Sequence, residues 1–399
     1  MSKLLHLWNS LSDDTVIRLR NESISLEGIG MIVSDDESFL LDLACAEITE
    51  NVRLATKSVS RISSRCHDTK LRCFSRWFNV FADSGHDFQC WVLSDKGMEG
   101  RNKKMEKLVS GTATLCKQME ELSITENSLR KHCCVSIKEQ KLIDLQQKLL
   151  WQKQEVKCLK ENSLWSKSFD MVVSMLVRSV FTILQRVKLV FGLGHGYYPS
   201  SLPRSPSASA TVYPTVNPNT YNFVSGPLKG GRKINFFESN SKLLKPPSST
   251  LGASALSLHY ANLIIVLEKM MNTPQLVGIE ARDDLYSMLP SSIRSSLRAR
   301  LKGVGFTASD PVLAGEWRVA LGRILSWLSP LAHNMIKLQN ERSLEHQNSL
   351  PRTNVLLLHT LFFANIDKTE AAITELLVGL NYIWRFEREM TAKVLFECS

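Results

Sequence analysis

The side chains best suited to chemistry gather once along this chain, as Cys66, His67, Cys73, His86 and Cys90. Thiolate and imidazole are ligands that zinc accepts, but structural zinc sites hold them at short, recurrent spacings. The intervals here fit no such knuckle, and a free thiol commonly serves as a small buried apolar group. A second candidate is His259, with Asn262 almost one helical turn further on. A catalytic histidine needs an orienting partner and a nucleophile within hydrogen-bond reach. The flanking residues specify neither, so His259 and Asn262 read as a structural polar pair. "GLGHG" at 192–196 looks like a phosphate-cradling loop, yet it follows a helical pattern rather than a strand, and no Lys-Ser/Thr comes after it. There is no HExxH, GxSxG or paired CxxC. The sequence predicts no catalytic, cofactor-binding or metal-ligating residue, and a protein that is not an enzyme.

What must position any site is a helical framework. A chain of 399 residues exceeds one compact core and predicts at least two domains. Hydrophobic residues at 44% and charged residues at 22% are ordinary globular values, and Gly and Pro are few and clustered. Nine cysteines, an odd number at irregular intervals behind no secretory leader, predict reduced thiols in the nucleus or cytoplasm rather than a secreted protein. The formal charge of +10 calls for an anionic counterpart: an acidic protein, an anionic membrane surface or nucleic acid. No reader motif appears, so sequence-specific nucleic-acid binding is not expected.

The stretch "SDDESFLLDLACAEITENVRLATKSVSRISSRC" (34–66) has Ser34 or Asp35 to cap a helix, acids in the first turn, and Arg61 and Arg65 at the end. Residues 101–160 predict two long amphipathic helices, an antiparallel hairpin or a short coiled coil, with Leu142, Leu145, Leu149 and Val156 as its seam. The oligomeric state stays open. "FDMVVSMLVRSVFTILQRVKLVFGLG" (169–194) admits three readings: a buried helix, a helix lying on an anionic membrane, or a span. Arg178 near a bilayer's centre would cost about 2.5–3.5 kcal/mol, which argues against the span. Residues 195–248 are rich in Pro, Ser, Gly and Asn and read as a disordered linker. Ser205, in Pro203-Arg204-Ser205-Pro206, is a candidate phosphosite in a PxxP match.

Beyond the linker, "STLGASALSLHYANLIIVLEKM" predicts a packed soluble helix begun by Ser248, Ser249 and Thr250. In "ARDDLYSMLPSSIRSSLRARLKG", Ile293, Leu297 and Leu301 form an apolar face. Arg294, Arg298 and Lys302 stack at four-residue spacing, with Arg300 apart, and these four are the candidate partner-binding residues. Such a row either docks on acidic protein, phosphate or lipid headgroups, or is a solvated face paired with carboxylates such as Asp283 and Asp284. Further helices follow, one interrupted or kinked at Pro330, two more from 353 to 389. Asp367 caps the last, with Ile373, Leu376, Leu377, Leu380, Ile383 and Trp384 inward. The predicted fold is all-α: two helical bundle domains, 1–194 with its long hairpin and 249–399, joined by the linker at 195–248.

Five segments carry a family resemblance: "LWNSLSDDTVIRLRNE", "IVSDDESFLLDLACAEITENVRLATKSVSRISSRC", "STLGASALSLHYANLIIVLEKM", "LPSSIRSSLRARL" and "TEAAITELLVGLNYIWRFE". They resemble the plant-specific PSK simulator-like family, which pairs an N-terminal domain of unknown function 3475 (here about 1–60) with a C-terminal domain of unknown function 668. Members begin upstream of this region, some with a myristoylation signal. Met1 falls inside it, so the chain is expected to lack the family's first residues, and lipid anchoring does not carry over. The resemblance implies nuclear growth promotion linked to phytosulfokine peptide-hormone signalling. It implies a non-enzymatic interaction or scaffold protein with unidentified protein partners. The alternative is a peripheral scaffold at the plasma membrane, held by basic amphipathic helices.

Overall fold

The computed structural model describes residues 1–133, 139–193, 236–273, 277–302, 310–345 and 355–397. Its helices are α1 (Ser2–Ser10), α2 (Asp13–Arg18), α3 (Glu27–Ile32), α4 (Glu37–Ser63), α5 (Thr69–Arg72), α6 (Phe74–Ser84), α7 (Asp95–Cys133), α8 (Glu139–Asn162) and α9 (Phe169–Val190). They continue as α10 (Phe236–Leu243), α11 (Ser257–Asn272), α12 (Ile279–Met288), α13 (Ser291–Leu301), α14 (Pro311–Glu345) and α15 (Ile366–Glu397). Among the described residues no strand forms, and the all-α architecture holds.

The first core is built around α9. Val173, Val177, Val180, Ile183, Leu184 and Val187 are buried on it, and Phe181 is ringed by Phe74, Phe78, Phe81 and Trp91 at centroid distances of 4.8–6.1 Å. Of the three readings of this segment, the buried helix is the one observed. Its cations are held by the protein: Arg186 pairs with Asp13, Arg178 donates to the Cys90 carbonyl, and Lys188 Nζ donates to the Phe81 and Ala82 carbonyls at 3.0 and 2.7 Å. Those two carbonyls lie in the last turn of α6, where the helix dipole favours a cation, and the Phe81 carbonyl also accepts the Gly85 amide at 2.9 Å. No described helix is long and apolar enough to cross a membrane.

The second core gathers α11, α12, α13, α14 and α15, but also takes in Leu19, Ile24, Ile29, Ile32, Leu40 and Ala44 from the N-terminal end of the chain. Helix α4 therefore serves both cores, with Leu40 and Ala44 in the second and Cys45, Ile48, Val52, Ala55 and Val59 in the first. Gly28 in α3 sits where a methyl group would overlap the Trp327 carbonyl and lie 2.5 Å from Leu331 Cδ1, so the lack of a side chain permits this close helix approach. The Asn365 amide donates to the Ile32 carbonyl at 2.7 Å, and the Leu357 amide to Glu47 Oε2 at 2.7 Å. Packing thus couples the first 50 or so residues to the last 150, across the chain division at 194–249 read from composition.

Helices α7 and α8 form the antiparallel hairpin: Glu126 pairs with Lys153 at 3.1 Å, and Thr112 Oγ1 accepts from the Leu164 amide. Val156 is buried in the seam and Leu145 and Leu149 are half-buried; the side chain of Leu142 lies outside the described residues.

Several local expectations are corrected. The cap of α4 is Asp36, which accepts from the Ser38 amide at 3.0 Å, while Ser34 supports Asp36 itself. Residues 248–250 do not begin α11, which starts at Ser257. Instead Leu251 and Gly252 donate their amides to the Ala364 and Phe362 carbonyls, both at 2.9 Å, and an isolated antiparallel bridge joins Thr250 to Asn365. Gly252 allows that approach, since a methyl would overlap the Phe362 carbonyl and ring. In place of the first helix expected after 353, 3₁₀ turns at Leu357–His359 and Leu361–Phe363 lead into α15, capped by Asn365 Oδ1 rather than Asp367. Helix α14 runs through Pro330 as one element. Inside the stretch read as linker, 236–243 fold as α10, because Phe237 stacks on Phe78 at 6.0 Å and Asp83 accepts the Phe236 amide. Residues 194–235, which include Ser205 and most of that linker, lie outside the described residues.

Candidate docking site

Three helices of the second core present matched faces to one another. On α12, Arg282, Leu285, Tyr286 and Leu289, the residue closing it, recur at three- and four-residue steps. On α13 the same steps carry Arg294, Leu297, Arg298 and Leu301, and on α15 they carry Leu377, Asn381, Trp384 and Arg388. Residues so spaced lie on one helical face. Where the three faces converge they enclose a half-open cavity of about 250 Å³, lined by leucines together with Val277, Arg282, Asp283, Tyr286, Asn381 and Trp384.

The arginines around it rest on aromatic groups. Arg282 stacks over the Trp384 ring at 3.5 Å, and its buried Nε has no hydrogen-bond partner. Arg388 approaches the same ring at 5.7 Å. Arg298 donates through Nε and Nη2 to the Tyr286 hydroxyl at 3.1 and 2.8 Å, and Arg294 lies over the Tyr286 ring at 5.9 Å. Cation–π contact holds a guanidinium in place without cancelling its charge. Of the basic row read from the sequence, then, Arg294 and Arg298 belong to this rim. Arg300 instead pairs with Glu375 at 2.7 Å, and Lys302 is exposed at the end of α13. Asp283 lines the cavity rather than pairing with that row.

Behind this face the helices are pinned by a polar node. The Tyr260 ring is fully buried, and its hydroxyl donates to Glu370 Oε1 at 2.5 Å; Ser292 Oγ donates to the same oxygen at 2.7 Å. Burial, reinforced by the carboxylate, pushes the Tyr260 hydroxyl's pKa up and keeps it a donor. His259 and Asn262 do not meet one another: His259 Nε2 is hydrogen-bonded to the Met288 carbonyl at 2.9 Å, joining α11 to α12, and Asn262 is exposed.

The Cys/His cluster is dispersed. Cys66 is buried and bonded to Asp170, and burial first, then Asp170, pushes its thiol up to about 11. The Asp170 carboxylate also accepts the His67 and Asp68 amides at 3.0–3.2 Å, and those bonds hold it below the usual carboxylate range. His86 lies against Phe88, while Cys73 and Cys90 are exposed. Among the described residues no three His, Cys, Asp or Glu side chains are placed to hold a metal.

Sequence reasoning missed Arg282, Tyr286 and Arg388, and placed Trp384 in the core. The signal was present as Arg-x-x-Leu-Tyr-x-x-Leu in "ARDDLYSML", repeated as Arg-x-x-Leu-Arg-x-x-Leu in "RSSLRARL".

Residues 250–337 match the family described as Protein of unknown function (DUF668), and residues 1–48 match Domain of unknown function (DUF3475). Protein PSK SIMULATOR 1 of Arabidopsis thaliana is 25% identical over 399 residues, covering 95% of this chain and 53% of that protein. Protein PSK SIMULATOR 3 from the same plant is 24% identical over 396 residues, covering 96% and 54%. The chain thus spans about half the length of the curated relatives it matches. No solved structure matches it. With segments matching both domains present in order, and contributing to one shared core, the chain is similar to the PSK SIMULATOR proteins.

Proposed function

We propose that this chain is a non-enzymatic helical interaction protein that promotes plant growth in connection with phytosulfokine signalling, and that it docks a protein partner on the α12–α13–α15 face. The signalling link rests on the relatives that carry the PSK SIMULATOR name. The docking role rests on one observation. The apolar stripes of α9 and α11 are consumed in the two cores, whereas the core leucines of α12, α13 and α15 still line a half-open cavity with arginines around it. The titratable groups with large displacements, Cys45, Glu47, Cys66, Tyr260 and His359, are held by burial in helix packing and by bonds to neighbouring side chains or backbone amides, as structural groups are. The test is capture of a tagged full chain from plant tissue, with and without Arg294→Glu, Arg298→Glu and Lys302→Glu together. A discrete partner recovered by the parent and lost by the variant is the expected result. Failure of the parent to recover any partner removes the interaction role.

A further inference from the structure

The arginine-rimmed cavity also indicates what kind of ligand would fill it. At about 250 Å³ it lies at the small end of ligand pockets and has room for a large side chain. Its walls are leucines from all three helices, which reward an apolar group withdrawn from water. Around them stand Arg282, Arg294, Arg298 and Arg388, and among the described residues none of the four has a carboxylate at ion-pair distance. The nearby carboxylates Glu375 and Glu387 are engaged by Arg300 and Arg318. Among the described residues Asp283 is the acidic member of the cavity lining. In the lining Arg282 stands with Asp283, and Arg294, Arg298 and Arg388, resting on the lining side chains of Tyr286 and Trp384, add three guanidinium groups at the rim.

Resting on the docking role above, we propose that the α12–α13–α15 cavity binds an acidic peptide segment, one bulky apolar side chain entering the cavity while flanking Asp and Glu residues bind the arginines. This is groove recognition with one anchor. The arginines, already held on Trp384 and Tyr286, lose little further freedom when a carboxylate arrives. A bilayer would meet the same charges, but a flat headgroup surface leaves a concave leucine-lined cavity unfilled, so the peptide is favoured.

Fluorescence anisotropy on the purified full chain tests this. The probes are labelled peptides of alternating Asp and Glu around one central Phe, Leu or Trp, with a central-Ala analogue as control. At least one apolar-centred probe should bind at micromolar concentration, at least tenfold tighter than the Ala analogue, and more weakly as salt rises. Arg298→Glu and Arg388→Glu, both at exposed positions, should each weaken binding at least fivefold while the circular dichroism and melting temperature are kept. No binding at about 1 mM by any probe overturns the proposal. Equal affinity for the Ala analogue, or indifference to both substitutions, overturns it too. Flotation with phosphatidylserine vesicles that the same substitutions abolish, without peptide binding, would reassign the face to lipid. A partner captured from tissue equally well by Arg298→Glu and Arg388→Glu would keep the interaction role and remove this cavity from it.

Discussion

Glu47 and His359 hold one turn between them, and their ionisation should oppose in a measurable way. Glu47 Oε2 accepts the Leu357 amide at 2.7 Å, and His359 Nδ1 accepts the Leu356 amide at 3.3 Å. Burial pushes the Glu47 carboxyl up from 4.5 to about 7, against the pull of the Leu357 amide and Arg342. Burial likewise pushes the His359 imidazole down from 6.5 to about 4. Between pH 4.5 and 6.5 the folded chain therefore holds a proton on Glu47 and none on His359, and the unfolded chain does the reverse. The raised carboxyl contributes stability that is complete below pH 4.5 and is lost as pH rises through 7. The depressed imidazole contributes stability that is complete above pH 6.5 and is lost as pH falls through 4. At about 1.4 kcal/mol per pH unit, each is worth about 3 kcal/mol over the shared window, with opposite slope, and in the parent they cancel. Glu47→Gln keeps the acceptor and removes one arm; His359→Asn keeps an acceptor and removes the other. Urea unfolding at three pH values across the window gives stabilities whose variant-minus-parent differences cancel the remaining carboxylates. The Glu47→Gln difference should climb by about 3 kcal/mol as pH rises from 4.5 to 6.5, and the His359→Asn difference should fall by as much. Differences that stay flat with pH in both variants would refute the reasoning.

Gly28→Ala should lower stability by about 1–3 kcal/mol by forcing α3 off α14, read as a drop in melting temperature; an unchanged melt would mean the approach is not tight. Tyr260→Phe should cost about 1–3 kcal/mol in urea unfolding, since Glu370 loses a charge-assisted bond and keeps only Ser292. Lys188→Met should leave the Ala82 carbonyl without its lysine donor and the Phe81 carbonyl with the Gly85 amide alone, and faster amide exchange in the last turn of α6 measures the loss.

The apolar spacing in α4, α9, α11, α13 and α15 was enough to read these helices, because 3.6-residue periodicity is a property of the local chain. Boundaries failed where a distant segment competed for the backbone. Ser248–Thr250 are good cap residues, yet the Leu251 and Gly252 amides are drawn to carbonyls more than 100 residues away. Likewise Phe236 and Phe237, set in a stretch of linker composition, fold as α10 against Phe78 and Asp83. The basic row of α13 was legible as a row, but its division was not. Whether an arginine meets Tyr286, Glu375 or solvent depends on which neighbouring helix stands beside it.

The sequence by itself determined that the chain is helical, basic and without a recognisable active-site motif, and that it carries segments resembling two domains of unknown function. Residue type, periodicity and local motif are enough for that. Only the tertiary structure decided that the first 50 or so residues complete the core of the last 150, and that three arginine- and leucine-bearing faces converge on one cavity. Both depend on helices distant in sequence, and a helix's own pattern states which face is apolar without stating which neighbour will cover it.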